Sequence, residues 1–210
     1  MASVTHQLGI SADAYTELVN HHLDSFYIID NHQKISADPD SDFIKVKLER
    51  KTDHKKLIIF DLDETLAHCT NSTKEAMGIT DPSDVALQIP VKGKMQTAHV
   101  NIRKSAWKVL EESAKYFEVM VFTASVKDYA DAILNYIDPS NDFIHHWLYR
   151  ESCVRTEADG NQIYVKDLRM FEDQFELKDI VIVDNAVYSF INQLENGIPI
   201  IPFWYDWEDD

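Results

Sequence analysis

The most informative stretch of the chain is LIIFDLDETL, residues 57–66. An apolar run from Leu57 to Phe60 is followed at once by three acidic residues, Asp61, Asp63 and Glu64. A short apolar run bounded by charge is typical of a buried strand. Carboxylates crowded at the end of such a strand repel each other and lose solvation, so a cation must compensate them. We therefore expect a strand that leads into a cation-binding site.

Runs of the same kind recur along the chain and alternate with helical patterns. The predicted strands cover residues 57–60, 85–91, 96–103, 117–122, 180–183 and 198–203, and the predicted helices cover 105–115 and 125–136. The second helix begins with SVKD, which resembles a capping box headed by Ser125. The strands 85–91 and 96–103 flank a Lys-Gly-Lys turn and predict a small antiparallel insert. Strands that alternate with helices predict an α/β fold with a mainly parallel sheet.

The first quarter of the chain differs in texture from the rest. We predict an N-terminal extension over residues 1–53, with one amphipathic helix, and a main domain over residues 54–210. Ser11 is the expected helix cap, and the polar stretch 31–42 is the expected loop. We expect the helix to pack on the main domain, and the apolar residues at helical spacing are Tyr15, Leu18, Val19, Leu23, Phe26 and Tyr27.

Charge, hydropathy and cysteine content argue against several classes of protein. The formal net charge of −16 argues against direct binding to nucleic acid, because nucleic-acid modules usually present basic patches. No apolar stretch is long enough to span a membrane, and the N-terminus lacks the pattern of a signal peptide. Two cysteines without a CxxC pair fit a reducing compartment. We expect an intracellular protein of the nucleus or cytoplasm, without a membrane span.

Chemically capable residues follow three of the predicted strands. Asp61 and Asp63 follow the first, Thr123 follows the run 117–122, and Asp184 with Asn185 follows the run 180–183. Ligands bind beyond the carboxyl ends of strands in open parallel sheets, so these side chains are expected to converge. Convergence of Asp61, Asp63 and Asp184 would form an oxygen-ligand cage for Mg²⁺. The bound cation would then compensate the crowded carboxylates.

The spacing of the two aspartates suggests a mechanism. Residues two apart in extended chain point to the same side, so Asp61 and Asp63 can face one substrate. One carboxylate could attack phosphorus and form an aspartyl-phosphate, and the other could serve as general acid and then general base. Lys166 is the best candidate for a fixed cation beside the phosphoryl group. Thr123 could donate both its hydroxyl and its backbone N–H.

Taken in order, DLDETL, FTAS, RESC, YVKDL and VDNAVYSF resemble the haloacid dehalogenase superfamily. Within it, they resemble the small phosphatases of the RNA polymerase II C-terminal domain, the Dullard-like and nuclear-LIM-interactor-interacting group, over about residues 54–206. The resemblance implies a Rossmann-like parallel sheet flanked by helices, with a small antiparallel β insert and no large cap domain. It also implies Mg²⁺-dependent hydrolysis of phosphoserine or phosphothreonine in proteins, with residues 54–210 as the catalytic domain.

The resemblance assigns roles to individual residues. Asp61 matches the nucleophile, and Asp63 matches the acid/base whose backbone carbonyl also binds the metal. Thr123 and Lys166 match the phosphate-binding pair. The metal set is Asp61, Asp63, Asp184 and Asn185, and the substrate-binding set is Thr65, Tyr129 and Arg150.

Two alternative functions remain open from the sequence. One is a phosphatase for small metabolites, which a lid over the site would favour. The other is a catalytically silent module that binds phosphopeptides, which would be expected to lack a motif acid. The leading interpretation is a phosphoprotein phosphatase acting on a disordered phosphopeptide such as the polymerase tail. The adjacent pairs His21–His22 and His145–His146 are interpreted as structural or surface residues, because neighbours in sequence do not share a helix face.

Overall fold

The computed structural model describes residues 12–32, 45–70, 83–91, 93–158 and 161–204. The predicted cap at Ser11 and most of the predicted loop at 31–42 lie outside these ranges. Within the described ranges, none of the helices has the length and apolar character that crossing a bilayer requires.

Three α-helices and ten strands make up the regular structure of the described residues. They are α1 (Ala12–His32), β1 (Leu57–Phe60), β2 (Ala67–Thr70), β3 (Val85–Val91), β4 (Lys94–Ile102), α2 (Ala106–Ala114), β5 (Glu118–Phe122), α3 (Lys127–Ile137), β6 (His146–Leu148), β7 (Val154–Ala158), β8 (Asn161–Val165), β9 (Ile180–Asp184) and β10 (Gly197–Pro199). Short 3₁₀ helices cover Arg150–Ser152, Leu168–Phe171, Leu177–Asp179 and Val187–Asn196.

The central sheet is parallel and has five strands in the order β10-β9-β1-β5-β6. Strand β1 lies in the middle and pairs with β5 on one side and β9 on the other. Phe60 is level with Val121 of β5 and with Val183 of β9, so the three carboxyl ends lie at one edge. The predicted α/β fold and the convergence of these strand ends are both confirmed.

The sheet is covered on both faces, which explains why its strands are apolar throughout rather than alternating. On one face, Ile58 and Phe60 pack with buried residues of α2 and α3, including Leu110 and Ile133. On the other face, Leu57 and Ile59 pack against the 3₁₀ segments, represented by Phe171 and Phe190. Complete burial of one such side chain contributes about 1.5–3 kcal/mol, so this two-sided core holds the strand ends in place.

The antiparallel insert predicted between the first strand and α2 is present. It is a three-stranded sheet in the order β2-β4-β3, and Gly93 takes a φ of 77° in the turn between β3 and β4. A second antiparallel pair, β7–β8, was not predicted from the sequence. The last predicted strand, 198–203, is shorter than expected, since β10 covers only Gly197–Pro199.

Helix α1 packs on the main domain through only part of the predicted face. Leu18 and Ser25 are buried, whereas Leu23, Phe26 and Tyr27 are more than half exposed. Ile28 packs on the hydrophobic cluster formed by Ile163 and Val165. The docked face therefore runs through positions 18, 21, 25 and 28. The predicted face is correct at Leu18 and wrong at Leu23, Phe26 and Tyr27, because polar residues, His21 and Ser25, take part in the docked face and carry no apolar signal.

Candidate active site

The loop after β1 makes a tight turn that separates its polar and apolar side chains. Leu62 is fully buried, while Asp61 and Asp63 on either side of it line a cavity. Glu64 adopts a left-handed backbone with a φ of 62°, which reverses the chain. The carbonyl of Glu64 accepts from the N–H of Phe203 at 2.7 Å, which ties the turn to the far end of the domain.

Asp61 and Asp184 share one buried cation. The Lys166 ammonium donates to Asp61 Oδ1 and to Asp184 Oδ2, the latter at 2.7 Å, and all three residues are almost completely buried. Burial raises the pKa of Asp61, the Lys166 ammonium opposes this rise, and the carboxylates of Asp184 and Asp63 add to it. Burial would lower the pKa of Lys166, but the two carboxylates outweigh it and raise that pKa. The ammonium is therefore held in its charged form.

The turn after β9 is fixed by several hydrogen bonds. Ser189 donates its hydroxyl to Asp184 Oδ2 at 2.5 Å, and the Ala186 N–H donates to Asp184 Oδ1 at 2.7 Å. Thr65 donates its hydroxyl to Asn185 Oδ1 at 3.1 Å. The backbone N–H of Lys166 donates to the Ser189 carbonyl at 2.6 Å. Ser189 therefore contacts both Lys166 and Asp184 and fixes their relative position.

The carboxylate of Asp63 lies in a different environment, surrounded by hydroxyl groups. Its Oδ1 accepts from Tyr129 at 2.6 Å, and its Oδ2 accepts from Ser125 at 2.6 Å and from Thr123 at 3.3 Å. Burial raises the pKa of Tyr129, and the charge of Asp63 and a hydrogen bond to Cys69 add to the effect, so the phenol stays a donor. The sequence analysis did not identify Ser125 as a site residue and interpreted it as a helix cap.

Two predicted details of this region need correction. The predicted cap is wrong, because Val126 occupies the N-cap position of α3 and Ser125 turns toward Asp63 instead. The backbone N–H of Thr123 is not free for a substrate, because it donates to the Leu148 carbonyl at 3.0 Å as β6 begins to diverge. Only the hydroxyl of Thr123 faces the site.

Arg150 lies at the mouth of the same cavity. Its Nε donates to the Ala124 carbonyl at 2.5 Å, and its guanidinium lies 5.1 Å from the centre of the Tyr164 ring. These contacts fix the side chain near the FTAS loop while leaving it exposed. Its predicted role in substrate binding remains a prediction, as do those of Thr65 and Tyr129.

All nine predicted site residues except Thr65 line one cavity of about 1090 Å³. Strand β3 contributes Ile89, Pro90 and Val91 to one wall. The opposite side includes His21 from α1 and Trp204 from the C-terminal segment. Interpreting His21 as a structural or surface residue was therefore incomplete, and no sequence signal connects α1 to this site.

The donor set is suited to a hard divalent cation, although it differs from the predicted three-carboxylate cage. Within the described part of the chain, no three His, Cys, Asp or Glu side chains are grouped as a metal site, since the Asp63 carboxylate turns toward hydroxyl groups. Asp61 and Asp184 are two buried carboxylates with one ammonium between them, which leaves net negative charge in a buried place. Together with the amide oxygen of Asn185, they are the hard oxygen ligands that Mg²⁺ prefers.

Comparison with solved structures supports the fold. The chain superposes on fission yeast RNA polymerase II CTD phosphatase Fcp1, solved with beryllium fluoride bound, with a TM-score of 0.56 and 19% sequence identity. The match covers 71% of this chain and 42% of that one. At this level of identity the likeness concerns the fold alone.

Relatives found by sequence comparison have a higher sequence identity to this chain. The chain is 39% identical over 156 residues to CTD small phosphatase-like protein 2 of Dictyostelium discoideum, which covers 73% of this chain and 24% of the relative. It is 38% identical over 154 residues to CTD small phosphatase-like protein 3 of Caenorhabditis elegans, covering 72% of this chain and 49% of the relative. The matches thus span half or less of the length of these relatives.

A family model agrees with these relatives. Residues 56–210 match the model described as NLI interacting factor-like phosphatase, and this range contains every one of the nine predicted site residues. This match covers well over half of the chain, and the chain belongs to the NLI interacting factor-like phosphatase family.

Proposed function

We propose that the chain is a metal-dependent phosphoprotein phosphatase that acts on phosphoserine or phosphothreonine through an aspartyl-phosphate at Asp61. The observation that carries the proposal is the contrast between the two aspartates in one cavity. Asp61 lies against the Lys166 ammonium, and Asp63 lies among three hydroxyl groups. A nucleophilic carboxylate benefits from the neighbouring ammonium, and a group that must give and then take a proton benefits from hydroxyl groups that hold it in one orientation.

In the first step, an oxygen of Asp61 attacks phosphorus and the bond from phosphorus to the serine or threonine oxygen breaks. Asp63, in its protonated form, gives its proton to the leaving oxygen. The hydroxyl of Thr123 and the ammonium of Lys166 lie beside the path of the phosphoryl group and can donate to its oxygens. The product of this step is the aspartyl-phosphate and the free hydroxyl of the substrate.

In the second step, a water molecule attacks the phosphorus of the aspartyl-phosphate. Asp63 is now a carboxylate and removes a proton from this water, and the bond between phosphorus and the Asp61 oxygen breaks. Phosphate leaves, and both aspartates return to their starting forms. The hydrogen bonds from Ser125 and Tyr129 hold the Asp63 carboxylate in one orientation through both steps.

A divalent cation fits this scheme, and we propose Mg²⁺. The ligands would be Asp61, Asp184, Asn185 and the backbone carbonyl of Asp63. When bound, Mg²⁺ would offset the charge of the crowded carboxylates and of the phosphoryl oxygens. Thr65 supports this role for Asn185, because its hydroxyl orients the amide oxygen of that residue.

We further propose that the substrate is an extended phosphopeptide. In the described ranges, the insert flanks the cavity with strand β3 and does not form a lid over it. An open site suits a chain that passes across it better than a sealed small molecule. The relatives named as CTD phosphatases favour a disordered, phosphorylated tail such as that of RNA polymerase II. An intracellular setting, nucleus or cytoplasm, agrees with the free thiols of Cys69 and Cys153.

The test is hydrolysis of a generic aryl phosphate at mildly acidic pH, with Mg²⁺, with a chelator, and with the Asp61→Asn variant. We expect turnover only when both Mg²⁺ and Asp61 are present, and unchanged circular dichroism in the variant. Turnover that survives either the chelator or the substitution would contradict the proposed mechanism. A phosphoserine peptide tested under the same conditions separates a protein phosphatase from a phosphatase of small metabolites.

A further inference from the structure

Helix α1 carries a side chain into the active site from outside the family domain. The family match begins at residue 56, and α1 covers Ala12–His32. The helix is anchored by Leu18, 6% exposed, and by Ile28, which packs on the cluster formed by Ile163 and Val165. One turn from Leu18, on the same face, His21 reaches the cavity.

His21 makes a specific polar contact there. Its Nε2 lies 3.0 Å from the backbone carbonyl oxygen of Asn185. A carbonyl oxygen only accepts hydrogen bonds, so Nε2 must carry the proton and donate it. The imidazole is held in this orientation by the indole of Trp204, whose ring centre lies 5.7 Å away at an interplanar angle of 88°. The donor is thus oriented from a second element as well as from the helix.

The contact acts on the peptide unit between Asn185 and Ala186. The carbonyl at one end of this unit accepts from His21, and the N–H at the other end donates to Asp184 Oδ1 at 2.7 Å. A peptide unit is planar and rotates as one body, so fixing its carbonyl also fixes its N–H. His21 therefore bears on the direction in which the Asp184 carboxylate points, through one rigid group.

We propose that His21 is a positioning residue of the active site, which locks the Asn185–Ala186 peptide and through it the Asp184 carboxylate. In its effect on metal and turnover, this inference rests on the proposed function. Outer-shell partners of this kind typically contribute about 10- to 100-fold to metal affinity or activity. The N-terminal extension thereby contributes a residue that fixes the geometry of the active site.

The test compares three variants of the full chain. His21→Leu keeps the bulk and removes the donor, whereas His21→Gln keeps a donor at about the position of Nε2. Phe26→Ala lies on the exposed side of the same helix, at 63% exposure, and is the matched control. The first readout is exchange of the Ala186 amide hydrogen, followed by NMR without metal or substrate. The second is the Kd for Mg²⁺ from calorimetry, and the third is kcat and KM on a phosphoserine peptide.

We expect His21→Leu to speed Ala186 exchange, to weaken Mg²⁺ binding about tenfold and to lower kcat with little change in KM. His21→Gln should restore all three, and Phe26→Ala should match the wild type. Equal Ala186 exchange in wild type and His21→Leu would overturn the inference, and so would a His21→Gln variant that behaves like His21→Leu. If the wild-type chain neither binds Mg²⁺ nor turns over, the proposed function fails, while the exchange readout still decides the role of His21.

Discussion

Asp61 and Asp63 lie two positions apart in the chain but have opposite surroundings. Asp61 faces the Lys166 ammonium, and Asp63 faces hydroxyl groups from the FTAS loop and from α3. Extended backbone points both side chains into one cavity, with Leu62 buried between them, and the different partners around each carboxylate separate their environments. At the residue scale, the division of labour between nucleophile and proton donor follows from this separation.

Loss of one of the hydroxyl groups around Asp63 should affect substrates differently according to their leaving group. Tyr129→Phe removes the donor to Asp63 Oδ1 and frees that oxygen to turn. We expect kcat on a phosphoserine peptide to fall about tenfold, a fraction of the roughly 10²- to 10⁴-fold that general acid catalysis contributes, because the serine alkoxide that leaves needs a proton. An aryl phosphate with a good leaving group should be affected much less. Tyr136→Phe, on the same helix and partly exposed, is the control. Equal losses on both substrates would contradict a role through Asp63.

The burial of Lys166 between two carboxylates leads to a prediction about both activity and stability. Lys166→Met leaves Asp61 and Asp184 without their shared cation. We expect a loss of about a hundredfold in kcat, as for one preorganised charge at a transition state. Breaking a buried ion pair from one side should also lower the free energy of unfolding by about 3–5 kcal/mol, measured by denaturant titration. Lys127→Met, which removes an exposed lysine paired with Asp131, should change stability little.

Residue-level prediction from sequence succeeded where position along a strand determined the outcome. Asp61, Thr123 and Asp184 could be predicted to converge because each follows an apolar run, and parallel neighbours share one edge. Ser125 was missed because a serine before a helix is most often a cap, and only the tertiary position of Asp63 offers it a better acceptor. His21 was missed because its contact spans 164 positions of sequence.

At the scale of elements, the long apolar strands and the two amphipathic helices of the domain were predictable, and the short polar strands were not. Strand β6 begins at His146, is three residues long and is only partly buried. Its sequence is therefore too short to show the alternation of apolar and polar residues that identifies a strand. The hairpin β7–β8 was missed for a different reason, since the sequence Asp159-Gly160 between the two five-residue strands is a hairpin signal that was not used. Helix α1 was predicted to exist but its docked face was predicted only in part, because its contacts with β7 and the segment Val187–Asn196 are distant in sequence.

One buried carboxylate links the segment before β1 to the sheet. Glu118, fully buried at the start of β5, accepts from the backbone N–H of Lys51 at 2.7 Å and of Thr52 at 3.1 Å, and contacts His146 Nε2 at 2.7 Å. Burial opposes its charge, but these hydrogen bonds outweigh it and hold the pKa of Glu118 below its ordinary value of 4.5. The charged form is therefore the one that stabilises the fold.

The sign of this shift gives a pH prediction. A carboxyl with a lowered folded-state pKa stabilises above its ordinary pKa and loses that contribution as the pH falls toward the folded value. Glu118→Gln should lower the free energy of unfolding by about 1–3 kcal/mol near neutral pH, the cost of leaving buried donors poorly paired. The difference from wild type should shrink below pH 4.5, the ordinary value. Glu112→Gln, on the exposed face of α2, is the control, and a difference that grows on acidification would contradict the assignment.

At the scale of the whole molecule, charge should select among substrates. The formal net charge is −16, and the acids that line the cavity outnumber its cations. The lining acids are Asp61, Asp63, Glu64, Asp128 and Asp184, and the lining cations are Arg150 and Lys166. A field of this sign attracts positively charged chains and repels acidic ones.

We therefore expect phosphoserine peptides with basic flanks to show a higher kcat/KM than matched peptides with acidic flanks. The difference should be largest at low ionic strength, where the Debye length is about 30 Å at 0.01 M, and should shrink toward 1 M, where it is about 3 Å. Rates on the two peptides at several salt concentrations measure this. Equal rates at low salt, or a preference for acidic flanks, would contradict steering by the net charge.

The central claim is that the Asp61 carboxylate becomes phosphorylated during turnover, and the most direct measurement is to trap that species. The wild-type chain, with Mg²⁺ and a phosphoserine peptide, is quenched in acid at early times and its mass is determined, followed by peptide mapping. The proposed mechanism predicts a mass increase of one phosphoryl group, located on the peptide that contains Asp61, removed by hydroxylamine and absent from Asp61→Asn. Sustained turnover with no phosphorylated enzyme at any quench time, together with activity in Asp61→Asn, would contradict it.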